Sequence, residues 1–227
     1  MNKFNELHLP TRKEFLLPAP VTTQNGYECL SSYLQRCANN YFVSTVSLLI
    51  AWSEETANPM LSTFNSYIYA GGKQSYRING RTELTEWLSK VLVKQDLLIK
   101  VNQMTVPKGD SFKSVELRKH LAWCPRCLEE QQKTVTGLHY PLLWMPKSYT
   151  LCQHHKMPMF EQCPSCKKYQ PVVALHNQPG KCAHCFSFLG ANQPGFPYGF
   201  QKELWRGELN EAITHCIRSK RYASRIE

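Results

Sequence analysis

Apolar residues in the first half of the chain recur at three- and four-residue steps, the spacing that gathers side chains on one face of a helix. Leu30, Tyr33, Leu34 and Cys37 make the first such face. Asn25 is placed to cap it, with Glu28 three residues on as in a capping box. Asn39 and Asn40 interrupt the pattern, and Ser44 starts a second helix through Val46, Leu49, Ile50 and Trp52. Residues 53–80 read as irregular, broken by Pro59 and Gly71-Gly72. Their aromatic residues Phe64, Tyr67, Tyr69 and Tyr76 are available to pack over the helices or to stack on bases. The clearest helix follows, capped by Thr82 and striped by Leu84, Trp87, Leu88, Val91 and Leu92. Asp96 starts a shorter one carrying Leu97, Val101 and Met104, and Pro107 to Asp110 form a turn. Residues 1–24 are loop-like, with Pro10, Pro18 and Pro20 as breakers. Near the other end, Leu204, Leu209, Ile213, Cys216 and Ile217 predict a helix over about 203–222.

Past residue 110 a different signal takes over. Four short pairs of metal-ligand residue types fall close together: Cys124-Pro-Arg-Cys127, Cys152-Gln-His-His155, Cys163-Pro-Ser-Cys166 and Cys182-Ala-His-Cys185. In each pair two residues separate the outer ligands, so one tight turn can aim both at the same ion. Seven of the ten cysteines lie in these pairs, leaving Cys29, Cys37 and Cys216 outside. Eight ligands make two complete tetrahedral zinc sites. Sequential pairing joins Cys124, Cys127, Cys152 and His155 across residues 128–151, and Cys163, Cys166, Cys182 and Cys185 across residues 167–181. A cross-braced arrangement, first pair with third and second with fourth, is the alternative. The shorter loop matches a zinc-ribbon spacing and favours the sequential order. His155 keeps the two-residue gap, with His154 as fallback, and His184 stands between two better-placed ligands. Between the first two pairs, Tyr140, Leu142, Leu143 and Trp144, in a stretch punctuated by Pro141 and Pro146, read as core.

The chain is therefore expected to be mainly α with small zinc-stabilised β-hairpins. Its expected parts are an extended N-terminal segment (1–24), a helical region (25–110), a tandem zinc-finger region (111–190) and a C-terminal tail with a helix (191–227). The first two helices resemble a helix-turn-helix, although the residues alone favour a plainer helical hairpin that buries its own seam. Cys29 and Cys37 then become small core residues.

Cysteine usage also bears on compartment. Met1 to His8 lacks the apolar run of a signal peptide, and no stretch reaches the roughly 18 apolar residues of a membrane span. Thiolates that hold metal must stay reduced, which implies a cytoplasmic, reducing compartment. The formal charge of +10 falls to about +7 once seven bound thiolates and two zinc ions are counted (10 − 7 + 4). Residues 121–190 carry 7 basic and 3 acidic side chains, the highest ratio in the chain. Such a balance suits a phosphate-rich partner and is also common in proteins that bind none.

Catalytic patterns are missing from the sequence. A catalytic zinc keeps an open position, whereas both sites here have four protein ligands. The deaminase signature is absent, since Leu121 and Ala122 follow His120 and the prolines lie inside the Cys pairs. No Gly-rich phosphate loop, His-Glu-x-x-His or Gly-x-Ser-x-Gly occurs. The zinc is expected to be structural.

The stretch Glu28-Cys29-Leu30-Ser31-Ser32-Tyr33-Leu34-Gln35-Arg36 resembles the Glu-Ser-x-x-Ser-aromatic-Leu-x-Arg opening of the TniQ family of transposition proteins. The later order is also similar: Cys-Pro-x-Cys, an aromatic-rich segment, Cys-x-x-His, an apolar spacer through Met157 and Met159, Cys-Pro-x-Cys, then Cys-x-x-Cys. The likeness spans about residues 16–190. Cys29 stands where the family has Ser, and Trp123 where a basic residue commonly precedes the first pair. The resemblance implies a helix-turn-helix-like region followed by two zinc fingers. It also implies a target-selection adaptor that links a target-bound complex to a AAA+ ATPase transposition regulator (TnsC-like). In CRISPR-associated transposons that complex is an RNA-guided CRISPR effector with its guide RNA and target DNA. The short stretch after the second finger favours the effector-dependent kind. Arg36, Arg126, Lys167 and Lys168 are the candidate nucleic-acid or partner contacts, no membrane partner is expected, and a homodimer is compatible with the sequence. A free-standing zinc-containing DNA-binding regulator is the competing reading.

Overall fold

A computed structural model of the chain describes residues 17–23, 26–55, 75–80, 82–93, 104–106, 116–174 and 177–190. Asn25, the aromatic residues at 64, 67 and 69, the helix expected from Asp96, the turn at 107–110 and the tail helix near 203–222 lie outside the described residues. The order is a short antiparallel ribbon of β1 (Thr22–Thr23) and β2 (Gly26–Tyr27), then α1 (Leu30–Asn40) and α2 (Thr45–Glu55). A 3-10 turn (Ser75–Asn79), α3 (Glu83–Val93), α4 (Pro125–Gln131) and a second 3-10 turn (Leu142–Trp144) follow. Among the described residues the fold is mainly helical, with little strand.

The stripes read from spacing are the buried faces. Leu30, Tyr33, Leu34 and Cys37 are fully buried on α1, and Leu84, Trp87, Leu88, Val91 and Leu92 are all buried on α3. On α2, Val46, Leu49 and Trp52 are buried along with Leu48, while Ile50 is half-buried. Burial pushes the Cys29 and Cys37 thiols up to about 12, so both are protonated core residues. Two caps form as the sequence indicates. Ser44 Oγ accepts the Ser47 amide at 2.9 Å at the start of α2. Thr82 and Thr85 cap α3 reciprocally, each hydroxyl accepting the other's amide at 3.4 and 2.8 Å.

Helix α1 begins differently from the expectation. Its N-cap is Cys29, with no side-chain cap hydrogen bond, so the box of Asn25 and Glu28 does not start it. Glu28 precedes the helix in an antiparallel bridge with Pro141. Its carboxylate is wholly buried and accepts from Ser32 Oγ (2.7 Å), the Val21 amide (3.2 Å) and Arg36 Nη1 (2.5 Å). The free amides of the first turn find remote acceptors instead: Leu30 N donates to Met104 O and Ser31 N to Asn79 Oδ1, both at 2.9 Å. Two further differences concern 53–80. Helix α2 runs on to Glu55, and Ser75–Asn79 is a 3-10 turn because Asn79 is held at the mouth of α1.

The helical and Cys-rich segments share one core. The Cys29 amide donates to Tyr140 O, and Ser32 Oγ accepts the Tyr140 amide, each at 2.9 Å. Gln35 Nε2 reaches Val172 O at 2.8 Å, and Tyr140 Oη accepts the Gly180 amide at 2.8 Å. Trp123, fully buried, donates from its indole to Leu189 O at 3.0 Å. The segment Tyr140–Trp144 is thus core, as its flanking prolines suggested, and it joins α1 to both Cys-rich loops.

Replacing Glu28 by Ala strands the Arg36 guanidinium, the Ser32 hydroxyl and the Val21 amide. Urea unfolding is expected to show a loss of about 3 kcal/mol, with a smaller loss for Glu28→Gln, which keeps an acceptor for Ser32.

Candidate metal centres

Three of the four ligand pairs fold as the same knuckle. In each, the first cysteine's amide donates to the carbonyl five residues on, Met157, Lys168 and Ser187 at 2.8–3.0 Å. The first cysteine's carbonyl in turn accepts from the residue after the second ligand, Lys156, Lys167 and Phe186 at 2.9–3.0 Å. Those three residues are left-handed, with φ of 49°, 60° and 60°. Antiparallel bridges Leu151–Pro158, Gln162–Tyr169 and Lys181–Phe188 close the knuckles into minimal hairpins. The first pair is built otherwise. Cys124 is the N-cap of α4, Pro125 takes the first helical position that suits it, and Cys127 lies in the opening turn.

The chain closes these knuckles into two clusters, Cys124 with Cys127, Cys152 and His155, and Cys163 with Cys166, Cys182 and Cys185. The sequential order holds. Within each cluster the donor atoms lie within 4.8 Å of one another. In the first, Cys127 Sγ is 3.6 Å from Cys152 Sγ, and His155 Nδ1 is 3.4, 3.3 and 3.7 Å from the sulfurs of Cys124, Cys127 and Cys152. In the second, Cys163–Cys185 and Cys166–Cys182 are 3.7 and 3.6 Å apart. A tetrahedron with metal–sulfur bonds of roughly 2.3 Å and metal–nitrogen bonds of roughly 2.0 Å has edges of roughly 3.8 and 3.5 Å. A disulfide would need roughly 2.05 Å. The donors therefore fit one four-coordinate ion per cluster. They do not fit disulfides.

His155 is aimed from behind. Its Nε2 lies 2.9 Å from Glu130 Oε1, one turn beyond Cys127 on α4, so Nε2–H donates to the carboxylate and Nδ1 keeps its lone pair for a metal. Burial opposes a proton on this ring, but Glu130 and the Cys152 thiolate outweigh it and lift the pKa. Hydrogen bonds from the Cys124 and Cys127 thiols hold the Cys152 thiol well below the ordinary range, while Cys127 is pushed far up. Without a cation one thiolate suppresses its neighbours; a dication reverses that and favours all of them. At the second cluster Cys163 is modestly desolvated, yet the Cys166 amide and the Ser187 hydroxyl (3.2 Å) bring it down to about 6.

The two clusters differ in shelter. All three cysteines of the first are buried, whereas in the second Cys166 is half-buried and Cys185 is exposed. His154 and His184 are exposed and outside both clusters; His184 Nε2 donates to Tyr169 O at 3.1 Å. Glu130 and Ser187 were not singled out from the sequence. Glu130 carries a readable signal, its position three residues after a ligand on one helix.

The four basic candidates are not equivalent. Arg36 is turned onto Glu28, with 17% of its side chain exposed, and also donates to Ala19 O at 3.4 Å. Arg126 is exposed inside the first ligand pair, and Lys167 and Lys168 are exposed after the third. Lys167 also fills the left-handed turn of its knuckle.

Residues 21–159, more than half of the chain, match the TniQ family model. The chain belongs to the TniQ family. The matched span takes in α1 to α4 and the whole first cluster, and ends before the second. A comparison with curated proteins returned no match. The TniQ family is a non-catalytic family of transposition proteins, which places this chain in DNA transposition. Among the described residues no helix is long and apolar enough to cross a membrane.

Native mass spectrometry is expected to count two metal ions per chain, and one in Cys185→Ser. A chelator should strip the exposed second cluster before the buried first. Glu130→Gln is expected to weaken metal binding at the first cluster by about 10- to 100-fold, read by competition with a chromophoric chelator, while leaving the second unchanged.

Proposed function

We propose that this TniQ protein is a non-enzymatic adaptor that links a target-bound complex to the AAA+ ATPase regulator of transposition. The target-bound complex best suited to it is an RNA-guided CRISPR effector. Support comes from family membership together with one geometric observation: each cluster offers four protein donors on a tetrahedron, leaving no position for water or substrate. Zinc is the ion we assign, held by Cys124, Cys127, Cys152 and His155 in one site and by Cys163, Cys166, Cys182 and Cys185 in the other. Sulfur-rich tetrahedral sets select it. Such an ion supplies charge neutralisation and a cross-link between distant segments. Metal binding in isolated finger peptides is worth roughly 10–16 kcal/mol, comparable to the whole margin of a domain, roughly 5–15 kcal/mol.

In this reading the chain works in a reducing prokaryotic cytoplasm. The α1–α2 pair, helix-turn-helix-like in the family, forms one surface, and the Cys-rich loops with exposed Arg126, Lys167 and Lys168 form another. One binds the ATPase and the other the effector or its nucleic acid.

A reconstituted co-migration assay tests this. The chain is expected to bring the ATPase and the effector into one salt-resistant complex, and substitutions that disrupt α1–α2 but leave two bound ions should abolish ATPase capture. Unchanged capture would remove that surface assignment. Duplex DNA binding by the chain alone, falling steeply with salt, would instead favour a stand-alone DNA-binding regulator.

A further inference from the structure

A surface cleft of about 470 Å³ lies between the α1–α2 connection and the last knuckle. Phe42 lines it on the first side and Phe186 on the second; Asn39, Ser47, Asn177 and Gln178 supply polar groups, and none of the described lining residues is charged. Phe42 is 97% exposed and Phe186 53%, two of the four large apolar side chains exposed among the described residues. Both also have left-handed backbones, with φ of 56° and 60°.

The Phe42 turn shows what that display costs. The Val43 amide donates to Ala38 O and the Phe42 amide to Asn39 O, both at 3.1 Å. This is the Schellman ending of a helix, in which the left-handed position is usually glycine because a Cβ there clashes. A phenylalanine that is strained by its backbone and left in water gives the fold nothing at that position. Strain of this kind collects at functional sites. The last knuckle has a second phenylalanine, Phe186, at the left-handed position where the two preceding knuckles have lysine.

One polar wall of the cleft is held in place by hydrogen bonds. Asn177 Nδ2 donates to Pro171 O and Val172 O at 3.1 and 3.3 Å, which fixes the amide at the cleft. Aromatic faces beside neutral amides and hydroxyls suit a flat, uncharged, hydrogen-bonding ring better than a phosphate or an acidic peptide. The surroundings favour a polyanion that carries such rings. The same finger exposes Lys167, Lys168 and Lys181, and its one acid, Glu161, is engaged by Arg118. Three lysines more than offset the −2 of four thiolates around a zinc ion.

We propose that this cleft takes an unpaired nucleobase of single-stranded nucleic acid, stacked on Phe42 and Phe186. The site deepens the adaptor reading, because an effector's RNA or a displaced DNA strand offers such a base. Its test nevertheless needs neither effector nor ATPase, so failure here leaves the adaptor reading to the co-migration assay.

The measurement is fluorescence anisotropy with the full, zinc-loaded chain and labelled ten-nucleotide probes: single-stranded RNA, single-stranded DNA, the same DNA with consecutive abasic sites, and a blunt duplex. The abasic strand has the same backbone charge, so it isolates the base from the background attraction of a chain that is basic even with its zinc bound. Base-bearing single strands are expected to bind more tightly than abasic or duplex probes. Phe42→Gly should weaken them at least tenfold or so while raising the unfolding midpoint, since glycine relieves the turn. Phe186→Ala should also weaken them, and Phe42→Trp should not. The RNA and DNA arms assign the source, and preference for either supports the site. Equal binding of base-bearing and abasic strands, full affinity in Phe42→Gly, or full affinity in Phe42→Leu would each overturn it, the last by showing an apolar anchor without stacking.

Discussion

Several thiols and one imidazole drawn together at 3.3–3.7 Å form an arrangement that a cation stabilises and a bare protein does not. Each thiolate raises the cost of the next, and in the first cluster burial removes the water that would screen them. The rest of the Cys-rich half depends on resolving that conflict. Among the described residues it has only one short helix, α4, and its strands amount to single bridges, so backbone hydrogen bonding alone fixes little of its path. Four-coordinate ions would replace the missing regular structure. They join segments up to 31 residues apart in sequence, from Cys124 to His155.

That rigidity does not stop at the knuckles. Trp123, adjacent to the first ligand, bonds to Leu189 O beyond the last one, which locks the two clusters to each other. Tyr140, between the first and second pairs, contacts the α1 entry through its backbone and the Gly180 amide through its hydroxyl. A change in metal occupancy would therefore be felt at α1, through packing that has little freedom to adjust. The helical half and the metal-binding half act on one core, which suits a molecule whose surfaces must keep a fixed relation.

How much of this could be read from the chain follows from the range of the interactions. Local patterns were legible. The stripes of α1 and α3, the Ser44 and Thr82 caps, the Tyr140–Trp144 core and both ligand sets depend on residues three or four apart, or on a two-residue gap that a single turn satisfies. The α1 entry was not legible, because its amides are met by Met104 and Asn79, 74 and 48 positions away. Glu28 has the spacing of a capping residue, yet it serves as a buried acceptor for Arg36, Ser32 and Val21. That role also engages Arg36, a candidate nucleic-acid or partner contact that the fold uses as an internal counter-charge. The preference for sequential pairing rested on loop length, and the geometry agrees.

The left-handed residues carry the last step. Among the described residues four non-glycine residues have positive φ, and three of them follow the second ligand of a knuckle, where the turn that aims two donors at one point imposes that conformation. Lys156 and Lys167 fit a simple account, since a long polar chain at a left-handed turn extends into water and only the Cβ strain is lost. Phe186 and Phe42 do not fit it. Each adds exposed apolar surface to the same strain, and the two meet at one cleft although they belong to unrelated turns, a helix ending and a metal knuckle. At Phe42 the helix ending favours glycine, so that side chain is better explained by the base proposed to stack on it than by what it does for stability.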